Sequence, residues 1–307
     1  MYKNSILECV GNTPLIKLNN IKKRYNLEFD IYAKLERNNP SGSVKDRAAL
    51  YIIKEGLKNG SISPNSIIVE ATSGNTGISL AMICASLSMK CVIFMPESAS
   101  IERRKMMKAY GATIFLTEAK LGMKGALDAS NEYLKNNPNS ISANQFGNPN
   151  NALAHYETTS KEILNDLEGK VDVFLAGFGT SGTLCGTAKA LKEFNKNIEI
   201  IGVEPFSSPL ITKHVAGPHK IQGIGANFIP EIFKEELVDQ ILTITNEESY
   251  EGARILAKEE GILAGISSGA NLMAALKLKN EDYKAKNIVI ILPDNGERYL
   301  SVDDLFN

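Results

Sequence analysis

Short apolar runs alternate along the chain with longer segments in which apolar positions recur every three or four residues. The runs are 30–36 (DIYAKLE), 66–71 (SIIVEA), 90–95 (KCVIFM), 112–117 (ATIFLT), 171–176 (VDVFLA), 198–203 (IEIIGV) and 287–292 (NIVIIL). Most are continuously apolar, the pattern of parallel strands covered on both faces. Between them, 78–88, 101–110, 153–167, 183–194 and 247–260 carry helical periodicity. A further helical run follows Lys45, with Ala49, Ile52, Ile53 and Leu57 on one face. This alternation predicts an α/β fold of open, twisted sheets with flanking helices. Residues 205–230 show no periodicity, and a loop that long in a compact domain is often functional. The stretch 144–151 (NQFGNPNN) marks a candidate domain boundary.

Composition narrows the class. The 307 residues are 43% hydrophobic and 22% charged, as in a soluble globular protein of one large or two ordinary domains. A net charge of −1 gives no reason to expect a nucleic-acid partner. The apolar runs are too short to cross a membrane, and the N-terminus lacks a signal-peptide core. Four scattered cysteines without CxxC spacing suggest a reducing, cytoplasmic setting. Three histidines without ligand spacing leave no expected metal site.

Three polar turns carry the chemistry. In NPSGSVKDR, Lys45 stands where a helix begins, as a solvated charge, a phosphate grip or a covalent nucleophile; the turn lacks the GxxxxGK[ST] of a P-loop. The turn ATSGNTG (71–77) follows a strand and opens a helix, which suits a carboxylate or phosphate. The turn GFGTSGT (177–183) has the same placement. It holds Gly177-x-Gly179-x-x-Gly182, with Glu204 at the end of the next strand, so a nicotinamide-dependent dehydrogenase is a rival reading. Four or more strands precede this fingerprint, whereas the dinucleotide motif belongs to a first βα turn. Its hydroxyls suit a terminal phosphate better. A lysine, a carboxylate turn and a phosphate turn are what pyridoxal phosphate and an amino-acid substrate require.

NPSGSVKDR, TSGNTG, MPESASIERR, NQFGNPNN, GFGTSGT, GPHKIQGIGANFIP, GILAGISSGAN and LPDNGERYLS occur in this order. From VGNTPL (10–15) to ERYLS (297–301), the chain resembles the cysteine synthases (O-acetylserine sulfhydrylases) and the related cystathionine β-synthases. The resemblance implies the tryptophan-synthase β-like fold (fold type II) with pyridoxal 5'-phosphate as cofactor. It implies a smaller domain at 37–146 and a larger, cofactor-binding domain of 1–36 plus 147–307. Lys45 matches the lysine that holds the cofactor covalently, and Asn75 the partner of its ring hydroxyl. Gly179, Thr180, Ser181, Gly182 and Thr183 match the phosphate turn, and Ser267 the partner of the pyridine nitrogen. Thr72, Ser73, Gly74, Thr76 and Gln145 match the substrate-carboxylate site. The implied reaction is β-replacement on an activated L-serine, with O-acetyl-L-serine and sulfide giving L-cysteine and acetate. The alternative is β-replacement on L-serine or L-cysteine by a thiol amino acid, forming cystathionine or lanthionine and releasing water or hydrogen sulfide. A homodimer, and serine acetyltransferase as a partner, also follow from the resemblance.

Three positions depart from the cysteine-synthase pattern. Ser181 replaces a usual glycine; it is tolerated there if its φ is negative, and its hydroxyl would add a bond to the phosphate. Ala99 stands where methionine is usual, leaving room for a larger second substrate. Asn227 replaces the third glycine of GIGAGFIP and is expected either to face the substrate or to serve as a turn residue.

Overall fold

The computed structural model describes residues 2–281, 283 and 285–306. Among them the strands are β1 (Leu15–Lys17), β2 (Asp30–Leu35), β3 (Ile67–Ala71), β4 (Lys90–Pro96), β5 (Thr113–Thr117), β6 (Ser140–Ser142), β7 (Val173–Gly177), β8 (Glu199–Pro205), β9 (Gln240–Ile244) and β10 (Asn287–Leu292). The α-helices are α1 (Asn19–Tyr25), α2 (Lys45–Asn59), α3 (Asn75–Ser86), α4 (Ile101–Ala109), α5 (Gly122–Asn136), α6 (Asn150–Ala154), α7 (Ser160–Asp166), α8 (Gly182–Phe194), α9 (Leu210–Lys213), α10 (Asn246–Glu260) and α11 (Ile266–Lys277).

The strands form two sheets, as the alternating pattern predicts. One has the order β5-β4-β3-β6 and is parallel throughout. The other has the order β1-β2-β10-β7-β8-β9 and is parallel except for the β1–β2 pair. The chain divides into two compact units. The chain up to Val10 joins Asn39–Asn151 around the four-stranded sheet; Gly11–Asn38 joins the chain from Ala152 around the six-stranded one.

In the first unit, Ile52 and Ile53 of α2, Ile78 and Ile83 of α3 and Met107 of α4 pack with Ile68 and Ile93 of the sheet. On its other face Ala126 of α5 packs with Val69, Val92 and Phe94. In the second unit, α1, α10 and α11 meet Ile31, Leu175, Val203 and Ile290, while Leu184, Ala188 and Leu191 of α8 meet Phe174, Ile200 and Val289. Burial on both faces explains the continuous apolar runs of β4, β8 and β10. Helices α10 and α11 pass backbone against backbone: a Cβ at Gly269 would lie 2.0 Å from the Ser249 carbonyl oxygen.

The prediction omits β1, β6 and β9 and helices α1, α5 and α11. The strands β1 and β6 have three residues each, and β9 is mostly half-buried, so none reads as a continuous apolar run. The buried residues of α5 are Gly125, Ala126 and Ser130, too small to mark a face. Much of α11 is buried all round, which removes the periodicity. The aperiodic stretch 205–230 holds only the single turn of α9. Among the described residues no helix is long and apolar enough to cross a membrane.

Candidate active site

In an open parallel sheet, the carboxyl ends of the strands lead into helix N-termini, where backbone N–H groups are left without intrahelical partners. Lys45, Thr72–Thr76 and Gly179–Thr183 all lie at such starts: the first opens α2, the second precedes and opens α3, the third precedes and opens α8.

Lys45 is half-buried, and its backbone N–H donates to Ser43 Oγ at 3.3 Å. Its neighbour Asp46 has no exposed surface. The Asp46 carboxylate accepts the Ser41 N–H at 2.6 Å, the Ser41 hydroxyl, and the Ser79 hydroxyl at 2.5 Å. Ser79 lies one turn into α3 and also reaches the Asn75 carbonyl, at 3.1 Å. One buried carboxylate therefore ties the lysine turn to the start of α3.

That start is built to receive an anion. Gly74 occupies the N-cap position in extended conformation and supplies no side-chain cap. Thr72 Oγ1 accepts the Gly74 N–H at 3.2 Å, and the Arg103 guanidinium donates to the Ser73 carbonyl at 3.4 Å. Ser73, Gly74 and Asn75 are half-buried. Thr76 and Gln145 are buried, and the Thr76 hydroxyl donates to Gln145 Oε1 at 2.6 Å. Behind Gln145 lies Glu70, the one charged residue of β3. Its carboxylate accepts the Asn144 N–H at 2.9 Å, together with the Gln145 backbone N–H and side-chain amide. Burial pushes the Glu70 pKa up to about 7, against the opposing pull of those hydrogen bonds.

In the second unit, Ser181 is the N-cap of α8 at φ +68, in the left-handed region. The condition for tolerating a serine there, a negative φ, is not met, and a non-glycine residue in this conformation costs about 1–2 kcal/mol. Ser181 is 2% exposed, and its Oγ is buried without a hydrogen-bond partner. Such an orphaned group is costly unless a ligand satisfies it. Gly179 permits close approach of another turn: a Cβ there would lie 2.6 Å from the Gly223 carbonyl oxygen. Thr180 is buried, with its Oγ1 accepting the Gly182 N–H at 3.4 Å.

Thr183 Oγ1 lies 3.2 Å from His155 Nε2, and His155 Nδ1 lies 2.8 Å from Thr159 Oγ1. His155 is fully buried in the π-helical segment His155–Thr159. Ser267, in the first turn of α11, is buried, with its Oγ 3.6 Å from where a Gly223 Cβ would stand. On the next turn Asn271 receives the Gly177 N–H at 2.7 Å and donates to the Ile291 carbonyl at 2.7 Å. Thus the 179–183 turn, Gly223 and Ser267 gather in one place within this unit.

Two remaining residues are engaged locally. Asn227 is exposed at φ +61, and its Oδ1 accepts the Ser208 hydroxyl at 2.7 Å. Glu204, the acid of the dehydrogenase reading, accepts the N–H groups of Ile211 and Thr212 at 3.0 and 3.1 Å and the Thr212 hydroxyl at 2.5 Å. Its oxygens serve the start of α9, so the ribose contact that reading needs is missing. Among the described residues no three His, Cys, Asp or Glu side chains gather as a metal site.

Asp46, Glu70, His155 and Asn271 were not among the residues singled out from the sequence. Glu70 carries the only advance signal, a carboxylate at the end of an apolar strand.

The donors at 179–183 fit a phosphate group: a helix N-terminus, a glycine at the point of closest approach, and a buried hydroxyl lacking a partner. Over residues 6–294 the chain matches the family described as pyridoxal-phosphate dependent enzyme, and it belongs to that family. Its place within it is with the cysteine synthases. It is 51% identical to cysteine synthase B of Campylobacter jejuni, over 97% of each chain. The fold is also similar to the solved cysteine synthase of Entamoeba histolytica, with a TM-score of 0.96 and 45% identity, covering 99% of this chain and 90% of that one. It is equally comparable to a hydrogen sulfide-producing enzyme from Fusobacterium nucleatum, with a TM-score of 0.92 and 49% identity, covering 97% of this chain and 100% of that one. The cofactor is accordingly pyridoxal phosphate, the substrates are small molecules, and the dehydrogenase reading is set aside.

Proposed function

We propose that this enzyme replaces the acetate of O-acetyl-L-serine with sulfide, forming L-cysteine. The observation that carries the reading is the Asp46 bridge, which holds a lysine and an anion-receiving helix start in one fixed arrangement. An α-amino acid presents a carboxylate and an adjacent proton to be removed, and such a pairing suits both.

Lys45 Nζ holds the cofactor and moves the α-proton of the substrate. Its transfer role requires a lowered amine basicity. Gly179, Thr180, Ser181, Gly182 and Thr183 hold the phosphate, Asn75 the ring hydroxyl, and Ser267 the pyridine nitrogen. The cofactor supplies an electron sink for chemistry at the α-carbon. Thr72, Ser73, Gly74, Thr76 and Gln145 bind the substrate carboxylate and orient the β-carbon. The C–O bond to acetate breaks, and sulfide forms the new C–S bond. In this reading the unit around the four-stranded sheet is the smaller domain, expected at 37–146, and the unit around the six-stranded sheet the cofactor-binding one, expected at 1–36 with 147–307, except that the chain up to Val10 goes with the smaller. The protein acts as a cytoplasmic homodimer, with serine acetyltransferase as a candidate partner.

A second reading is favoured by the likeness to the hydrogen sulfide-producing enzyme. L-Cysteine or L-serine would be the donor and a thiol amino acid the acceptor, giving lanthionine or cystathionine. Offering O-acetylserine, serine and cysteine separately, with products identified by mass spectrometry, tests both. Cysteine formed from O-acetylserine and sulfide far faster than any thioether supports the first reading. Dominant sulfide release from cysteine would replace it with the second.

A further inference from the structure

We propose that Glu70 is a positioning residue for the substrate-carboxylate turn: its carboxylate fixes the Gln145 amide, and that amide fixes the Thr76 hydroxyl. The inference rests on the reading of Thr72–Thr76 and Gln145 as the carboxylate site, and it adds a regulatory proton to that site.

The geometry defines a chain of three groups. Ionised Glu70 accepts the Gln145 amide N–H, which leaves Gln145 Oε1 to accept the Thr76 hydroxyl at 2.6 Å. Thr76 then directs its proton inward, and only oxygen lone pairs remain to face an incoming carboxylate. Protonated Glu70 is itself a donor. Gln145 meets it best by turning its amide, with Oε1 toward Glu70 and Nε2–H toward Thr76. Thr76 then accepts from Gln145, and its own hydroxyl is released to donate to the substrate. Removal of the Glu70 charge also removes a repulsion for an anion at the start of α3. Both effects act in one direction: capture of a carboxylate favours protonated Glu70.

The surroundings put this proton in the useful range. The face of β3 that carries Ile68 and Glu70 is covered by α2, α3 and α4. The titratable neighbours are the thiols of Cys84 on α3 and Cys91 on β4. Contact with Cys84, then burial, holds the Cys91 thiol well above its usual range, so it stays neutral. The charged residues at the starts of the covering helices are Lys45, Asp46 and Arg47 on α2 and Glu102, Arg103 and Arg104 on α4, of which Glu102 accepts the Ser100 hydroxyl and Arg104 donates to the Glu97 carbonyl. Asp46 is bonded to Ser41 and Ser79, and Arg103 reaches Ser73. The opposite face of the sheet is packed by α5 through Ala126. Burial dominates the balance and brings Glu70 to about 7.

The test is calorimetric titration of acetate into the cofactor-loaded enzyme between about pH 6 and about pH 8.5, in buffers of different ionisation heat. Wild type should take up a proton on binding, and its affinity should fall by up to about tenfold per pH unit above neutrality. Glu70→Gln imitates the protonated acid, so it should bind acetate at all these pH values as wild type does at the acid end, without proton uptake. Glu70→Asp, which keeps the acid on a shorter stem, should retain a pH dependence. Wild-type binding without proton uptake overturns the proposal directly. If Thr76→Ala weakens acetate binding but proton uptake persists in Glu70→Gln, the role of Glu70 falls and the carboxylate turn stands. Acetate binding indifferent to Thr76→Ala removes the carboxylate-turn reading and this proposal with it.

Discussion

Replacing Ser181 with alanine should move two quantities in opposite directions. The Ser181 hydroxyl is buried without a partner in the protein, at a residue 2% exposed. Deleting a polar group in that position removes a penalty of about 1–3 kcal/mol from the cofactor-free protein. For a domain of this size, about 1 kcal/mol shifts a melting midpoint by roughly 2–4 °C. The cofactor-free Ser181→Ala protein should therefore melt several degrees higher. The same deletion removes a hydrogen bond to phosphate, worth about 1.5–3 kcal/mol for a charged acceptor, so cofactor affinity should drop roughly tenfold to hundredfold. The left-handed backbone at φ +68 is equally strained for serine and alanine, so strain cancels in this comparison. Ser181→Gly relieves that strain as well and should be the most stable of the three without cofactor. Thermal melts of the cofactor-free proteins and titrations with pyridoxal phosphate or inorganic phosphate provide both readouts. A Ser181→Ala protein that is less stable without cofactor and binds phosphate as well as wild type would refute the reasoning.

Lys45→Ala should lose the covalent visible chromophore and fall to background activity, checked by absorbance and by mass after borohydride reduction. Glu70 should make stability depend on pH. Its folded pKa is raised from 4.5 to about 7, so the folded state holds the proton more tightly than the unfolded one. The cost is absent below the unfolded value, grows as pH rises and is complete above about 7, reaching about 3 kcal/mol. Glu70→Gln should accordingly gain on wild type in melts from about pH 5 to about pH 8, and a constant difference would contradict this. Asn227→Gly removes the Ser208 bond but suits φ +61, so it should change stability by less than about 1 kcal/mol in denaturant titration. If Asn227 also contacts an amino-acid acceptor, kcat/KM for thioether formation should fall about tenfold with sulfide use spared.

Several parts of this protein can be read directly from its residues. The run NIVIIL discloses β10 because burial on both faces demands unbroken apolarity. The turns at 71–77 and 177–183 are visible because glycines and hydroxyls between a strand and a helix form an anion site locally. Helices α5 and α11 escape because small or uniformly buried residues leave no stripe. The supporting polar groups escape for a different reason: their partners are distant in sequence. Asp46 meets Ser79 across 33 positions, Glu70 meets the Asn144 backbone across 74, and His155 meets Thr183 across 28. Nothing in the local pattern around Asp46 distinguishes it from an ordinary acid in a first helical turn. The strained backbone at Ser181 is likewise invisible beforehand, since serine normally signals a cap with negative φ.

The Asp46 bridge has a consequence for engineering. Donor preference in such an enzyme invites transplantation of the 72–76 turn from a relative with different taste. Here that turn is not a detachable part. Ser79 couples its helix to the carboxylate beside Lys45, so a graft ending before residue 79 would have to reproduce a bond it does not contain. A workable exchange cassette must carry 41–46 and 72–79 together, as two strips of sequence that behave as one module.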